Sequence, residues 1–287
     1  MRRTLTLLFC AGWLALSAPL ATATTPQEDL QAFRQYFQDR YPATPFDDFQ
    51  NGIYSIDANR RAEWEAMEEF PPYEIGLEIG QQEFEKPFAN GQTYASCFKN
   101  GGINIRQHYP YFDAATGDIK TLEGEINECR VKNGEEKLRF GRGKLAAIAA
   151  YMASTSNGSR LNVVIPDDPR ALEWYNRGKK HYFAKRGQLN MSCADCHYYY
   201  AGHNVRADLL HPALGDLSHF PVYRKKWEAR GSGALAGFGT THRRFNGCNE
   251  QVRAKGYGAQ SDEYKALEYY LTFMSNGIPI NAPGVRQ

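Results

Sequence analysis

The sequence predicts a mainly α-helical protein built from two homologous halves behind a removable leader and a helical extension. Three observations predict it. First, the stretch Tyr151-Met152-Ala153-Ser154-Thr155-Ser156-Asn157-Gly158 aligns without gaps on Tyr270-Leu271-Thr272-Phe273-Met274-Ser275-Asn276-Gly277, at an offset of 119 residues. Second, the same offset carries Cys129 onto Cys248, and upstream Gly91-Gln92-x-x-x-Ser96-Cys97 recurs as Gly187-Gln188-x-x-x-Ser192-Cys193. Third, each copy has a helix-like stretch before its first cysteine with a glycine and an aromatic four apart, Gly80/Phe84 and Gly178/Tyr182. Such pairs let two helices cross closely.

The leader is residues 1–23: Met1-Arg2-Arg3, an apolar run from Thr4 to Ala18, and Ala21-Thr22-Ala23 give the three parts of a secretory signal peptide cleaved after Ala23. Its apolar run falls short of the ~20 residues a membrane span needs, and no later segment approaches that length. Residues 24–70 form an acidic extension. Leu30, Phe33 and Phe37 at helical spacing predict a helix over Gln27–Arg40, ended by Pro42. The first half follows at 71–160 and the second at 161–287, joined where Pro166-Asp167-Asp168-Pro169 breaks the helical pattern. With 287 residues and 42% hydrophobic content, one or two compact domains are expected.

The formal charge of +2 argues against a nucleic-acid binder, but it hides a polarity. Gln27 to Asn90 holds 14 acidic and 5 basic residues, and Arg177 to Lys255 holds 14 basic and 5 acidic. The C-terminal half should attract anions.

Export leaves five cysteines to be explained, since Cys10 departs with the leader. Cys193-Ala194-Asp195-Cys196-His197 is C-x-x-C-H, the spacing at which two thiols add to the vinyl groups of one porphyrin and the adjacent histidine becomes the proximal iron ligand. A zinc half-site would need a second close Cys/His pair, and a thioredoxin-type redox pair a flanking βαβ pattern. Neither is present. The halves are therefore read as tandem cytochrome c-like domains with one covalently attached haem c.

The first copy reads Cys97-Phe98-Lys99-Asn100-Gly101 at the corresponding place, so it lacks the second thiol and the histidine and is expected to be haemless. Cys97 and Cys129 match Cys193 and Cys248 of the other copy. A disulfide between them, filling the lost haem site, is one expectation, contributing on the order of 3 kcal/mol by loop entropy. Two unconnected buried thiols are the other.

Cys248 is then the odd cysteine, in the haem-bearing copy, 51 residues after His197. It is a candidate sixth iron ligand. The loop histidines His203, His211, His219 and His242, and Met274 in the repeated C-terminal helix, are the rivals. If Thr241–Ala254 is helical, Arg244 shares a face with Cys248, favours its thiolate and offers paired hydrogen bonds to a tetrahedral dianion. Arg253 reads as a solvated surface charge, and Arg243 as either.

A signal peptide, a tandem of cytochrome c domains, C-x-x-C-H in the second, and Arg243-Arg244-Phe245-x-x-Cys248-Asn249-x-x-x-Arg253-Ala254 together resemble the SoxA family, the catalytic subunits of the SoxAX cytochromes of bacterial sulfur oxidation. The ending Ser261-Asp262-Glu263-Tyr264 through Asn276-Gly277-Ile278-Pro279-Ile280-Asn281-Ala282-Pro283-Gly284-Val285-Arg286 is similar to that family too. The resemblance implies an L-cysteine S-thiosulfotransferase of the periplasm, joining thiosulfate oxidatively to a cysteine of a SoxYZ-like carrier while electrons leave through haem. It implies that Cys248 is the distal haem ligand, often found as a persulfide, and that Arg244 is an active-site cation. It also implies a heterodimer with a SoxX-like small cytochrome c, which provides the electron exit. Some members carry a second haem in the N-terminal domain, and this sequence departs from them at Cys97. Two other readings use the same residues: a plain electron-transfer cytochrome, and a thiosulfate dehydrogenase forming tetrathionate. The latter resembles proteins with two haem motifs, and this chain has one.

Overall fold

The computed structural model describes residues 24–205 and 207–286; the leader, 1–23, lies outside the described residues. Nine α-helices carry the described fold: α1 (Pro26–Arg40), α2 (Ala58–Glu68), α3 (Glu74–Glu85), α4 (Leu122–Lys132), α5 (Gly143–Ser154), α6 (Pro169–Phe183), α7 (Lys225–Glu228), α8 (Thr241–Gln251) and α9 (Asp262–Met274). Local chemistry sets their starts. Thr25 and Glu28 form a reciprocal capping box ahead of Pro26, and Asp57, Thr121, Asp168 and Ser261 each accept a hydrogen bond from an amide of the first turn that follows. Short strands complete the fold. Tyr111–Asp113 pairs antiparallel with Asp118–Lys120. Val222–Arg224 lies between an antiparallel Phe238–Gly239 and a parallel Gly284–Arg286, with Arg224 opposite Arg286.

Two helix crossings dominate the packing, and they are alike. A methyl group on Gly80 of α3 would lie 2.2 Å from the Ala147 carbonyl oxygen of α5, and one on Gly178 of α6 would lie 2.1 Å from the Ala266 carbonyl oxygen of α9. Only a missing side chain allows either approach. One turn on, Phe84 packs on Tyr151 with ring centroids 5.4 Å apart, and Tyr182 on Tyr270 at 5.7 Å.

The repeated Ser-Asn-Gly that ends each second helix performs the same work twice. Ser156 Oγ accepts from the Arg106 amide, as Ser275 Oγ does from the Gly215 amide. Asn157 donates to the Ala282 carbonyl and accepts from its amide, and Asn276 does both with Val163. α4 and α8 also begin and end 119 residues apart.

Cys97 and Cys129 are joined by a disulfide, Cα to Cα 5.8 Å. It lies in the first half's core with Phe84, Phe88, Tyr94, Ile126, Leu145 and Met152. The extension is no appendage. Leu30, Phe33, Phe37 and Phe49 are buried in the core of the second half, beside Tyr182, Tyr270 and Phe273. Its acidic residues meet both halves: Lys179 Nζ of the basic second half lies 2.5 Å from Asp29 Oδ2, and Arg160, at the end of the first half, binds Asp47 through both Nη atoms.

Candidate functional site

The C-x-x-C-H segment forms a wide helical turn over Asp195–Tyr199, fixed at its start by a reciprocal clasp. The Asp195 carboxylate accepts from the Ser192 amide at 2.7 Å and from its hydroxyl at 2.9 Å, while Ser192 Oγ accepts from the Asp195 amide at 2.9 Å. Cys193 and Cys196 thus sit on one turn as free thiols with His197 next to them. His197 Nδ1 lies 3.1 Å from the His211 carbonyl oxygen. Donation there puts the ring proton on Nδ1 and leaves the Nε2 lone pair for a metal.

Cys248 and Arg244 both lie on α8, one helical turn apart, and both are half-buried. Their charges reach the turn: the Cys248 thiol opposes ionisation of Cys193 and Cys196, and the Arg244 guanidinium favours ionisation of Cys196 and disfavours protonation of His197. Burial is the larger cause in each case. It pushes the Cys193 thiol up to about 12, against the nearby Arg186, whose Nη1 is 3.8 Å from Cys193 Sγ.

These four groups, Cys193, Cys196, His197 and Cys248, all keep some accessible surface, although burial dominates the shifts of the first three. The Tyr182 hydroxyl, buried near Cys193 and Asp216, has no hydrogen-bond partner. Two thiols on one turn, an imidazole with Nδ1 tied back, a third sulfur across from them and an unsatisfied phenol fit a haem c. Cys193, Cys196, His197 and Cys248 are the residues that could hold it.

The rivals for the sixth ligand each have surroundings of their own. Met274 is fully buried in the core. His242 Nδ1 accepts from the Gln260 amide at 3.0 Å, and its Nε2 lies at ion-pair distance, 3.0 Å, from Glu268 Oε2. His211 stacks against His197, ring centroids 4.1 Å apart, with its Nδ1 3.2 Å from Asp216 Oδ1. His219 Nε2 lies 3.6 Å from the same oxygen, and His203 is exposed.

Asp216, Arg224 and the His211 carbonyl were not legible in the sequence. Burial pushes the Asp216 carboxyl up to about 6, with His197 and Arg244 pulling the other way. Burial first, then Arg244, lowers the Arg224 guanidinium to about 10. The basic excess of the second half is a signal for Arg224 alone. Arg243 is stacked over Trp227, Cζ 3.9 Å from the ring centroid, and Arg253 ends the helix with positive φ.

Comparison with known proteins places the chain in a family. The description "SoxA/TsdA, cytochrome c domain" matches residues 79–161. The L-cysteine S-thiosulfotransferase subunit SoxA of Allochromatium vinosum is 48% identical over 93% of this chain and 92% of its own length. The subunit of the same name from Chlorobaculum tepidum is 46% identical over 90% of this chain and 87% of its own. The crystal structure of SoxXA from P. pantotrophus superposes with a TM-score of 0.65 at 30% identity, covering 76% of this chain and 79% of that one.

Proposed function

The chain belongs to the SoxA family of L-cysteine S-thiosulfotransferase subunits, and on that premise we propose that it couples thiosulfate to a cysteine of a SoxYZ-like carrier protein. The protein is a sulfur-transferring enzyme with a cytochrome c domain, its cofactor haem c and its partner a SoxX-like small cytochrome c. The leader sends it to the periplasm. The two halves are a duplicated cytochrome c domain in which the first copy holds a disulfide where the second holds haem, so the chain carries one haem.

The reaction joins the outer sulfur of thiosulfate to the carrier sulfur. The carrier S–H bond breaks, an S–S bond forms, and one proton and two electrons leave. Haem c, attached through Cys193 and Cys196 and ligated by His197 and Cys248, supplies the sink for those electrons when bound. Arg244 holds the sulfonate end of thiosulfate through paired hydrogen bonds, and Cys248 receives the sulfur end. The observation that carries this reading is the placement of Arg244 and Cys248 one turn apart on α8, with the Cys248 charge felt by both thiols of the C-x-x-C-H turn and the Arg244 charge by Cys196 and His197.

Product analysis with and without a carrier protein tests it. The reading expects consumption of thiosulfate to require the carrier thiol and to leave a thiosulfonate on it. Tetrathionate formed without any carrier would contradict it, as would electron transfer with no sulfur product at all.

A further inference from the structure

We infer that Arg139 and Arg142 of the first half, together with Arg243 of α8, form a docking rim for an acidic face of the carrier protein, beside the Arg244–Cys248 site. The inference rests on the carrier-coupling reading above and adds where the carrier docks. The segment between α4 and α5 runs across to the start of α8. Asn127 fixes it reciprocally, donating to the Leu138 carbonyl at 2.9 Å and accepting from the Leu138 amide at 2.8 Å, and Phe140 packs against the first half's core. The Gly141 carbonyl then accepts from the Thr240 amide at 3.2 Å, and a methyl group on Gly141 would lie 3.4 Å from Arg243 Cβ. Arg139 and Arg142 flank that contact, and both are exposed.

The three charges act on one another with no anion between them. Burial first, then Arg142 and Arg139, lowers the Arg243 guanidinium to about 10. Its side chain is held by the Trp227 ring and by the Phe238 carbonyl, which accepts from Nη1. Among the described residues no carboxylate lies within ion-pair distance of Arg139, Arg142 or Arg243, whereas Arg160 and Arg177 each have at least one. The loop's own Glu135 is spent on Arg130. Like charges gathered without counter-charges repel one another, and carboxylates brought by a partner relieve that repulsion.

A protein that delivers a thiol to Cys248 also covers this rim. Cys248 is five residues after Arg243, about 7.5 Å along α8. A specific protein contact covers about 800 Å² on each side, a disc of roughly 16 Å radius. Exposed guanidiniums in water hold a single small anion weakly. A surface bearing several carboxylates meets all three at once and gains chiefly in encounter rate.

The test uses the haem-loaded complex with its small cytochrome partner, comparing wild type with Arg139→Glu/Arg142→Glu and with Arg139→Lys/Arg142→Lys. Carrier modification is measured against carrier at saturating thiosulfate, and against thiosulfate at saturating carrier. The charge-reversed variant is expected to lower kcat/KM for the carrier about 10-fold at ~10 mM salt. The loss closes to within about 2-fold at ~1 M, where the screening length falls to ~3 Å. KM for thiosulfate stays as in wild type, and the lysine variant keeps most of the wild-type kcat/KM for the carrier. An unchanged kcat/KM for the carrier after charge reversal would overturn the inference. So would a rise in KM for thiosulfate alone, because the rim would then gather a soluble anion. Loss of the small cytochrome from the charge-reversed complex would also overturn it, because the rim would then belong to that contact. In wild type kcat/KM for the carrier falls as salt rises, and a value indifferent to salt contradicts the rim even if the charge-reversed variant does not fold. A wild-type enzyme that leaves the carrier unmodified would instead overturn the functional reading on which the inference depends.

Discussion

Arg244 is a half-buried cation on α8. Its field is felt by Cys196, His197, His211, Asp216 and Arg224, residues from three separate stretches of chain that meet around the C-x-x-C-H turn. A guanidinium clamping an anion acts on rate without setting the iron's ligands. Arg244→Ala should therefore lower turnover with thiosulfate by roughly 100-fold, while the ferric spectrum keeps its sulfur-ligated form. Steady-state kinetics beside an optical spectrum check both parts. At this scale much was legible in the sequence, because C-x-x-C-H is contiguous and Arg244 and Cys248 share one helix. Asp216, Arg224 and Arg286 were not, because only folding brings a loop, a strand and the chain's end to one place, and no local spacing records that meeting.

The elements meet most tightly at the two glycine crossings. A methyl group at Gly178 would collide with backbone rather than with a flexible side-chain end, so relief requires α6 and α9 to separate. Gly178→Ala should destabilise the protein by about 3 kcal/mol, read from denaturant midpoints. The Gly/aromatic spacing exposed both crossings in the sequence, since close approach of helices demands a small residue and then something large to fill the next turn.

The joint between α4, α8 and α9 was invisible by comparison. Glu123 and His242 occupy the same repeat position in the two halves, and both are buried near Glu268. Burial and then the Glu268 charge push the Glu123 carboxyl up to about 7, while Arg106 and His242 oppose this. A carboxyl raised in the folded state binds its proton there more tightly than in the unfolded chain, so its contribution to stability is lost as pH rises from the unfolded value to the folded one. Glu123→Gln should accordingly match wild type near pH ~4 and gain on it steadily up to about pH 7, beyond which the difference levels off. Urea unfolding at a series of pH values measures this. A difference independent of pH would show that folding leaves the proton affinity of the Glu123 carboxyl unchanged.

At the scale of the whole molecule, the two halves share a packing plan and differ in what their cysteines do. Each half closes its core with a crossed helix pair and a Ser-Asn-Gly turn, yet one spends its two matching cysteines on a disulfide. The other leaves Cys193, Cys196 and Cys248 free. The expected haem content is one per chain, and a pyridine haemochrome assay returning two would reassign the first half. The repeat was readable because its markers, Cys129/Cys248 and the octapeptide, keep one spacing. The role of the extension was not, since the burial of Phe37 and Phe49 in the second half's core is a long-range contact that helical periodicity alone does not assign. Acidic extension and basic second half were two separate observations in the sequence, and the Asp29–Lys179 pair joins them.

The central claim is that the Cys248 sulfur takes part in joining thiosulfate to a carrier thiol. Intact-mass analysis of the carrier after incubation with thiosulfate, an electron acceptor and the haem-loaded complex tests it most directly, with Cys248→Ala set beside wild type and haem content matched. The account predicts a thiosulfonate adduct on the carrier cysteine with wild type and none with Cys248→Ala, whose ferric spectrum also changes. Adduct formation at the wild-type rate by Cys248→Ala would contradict it.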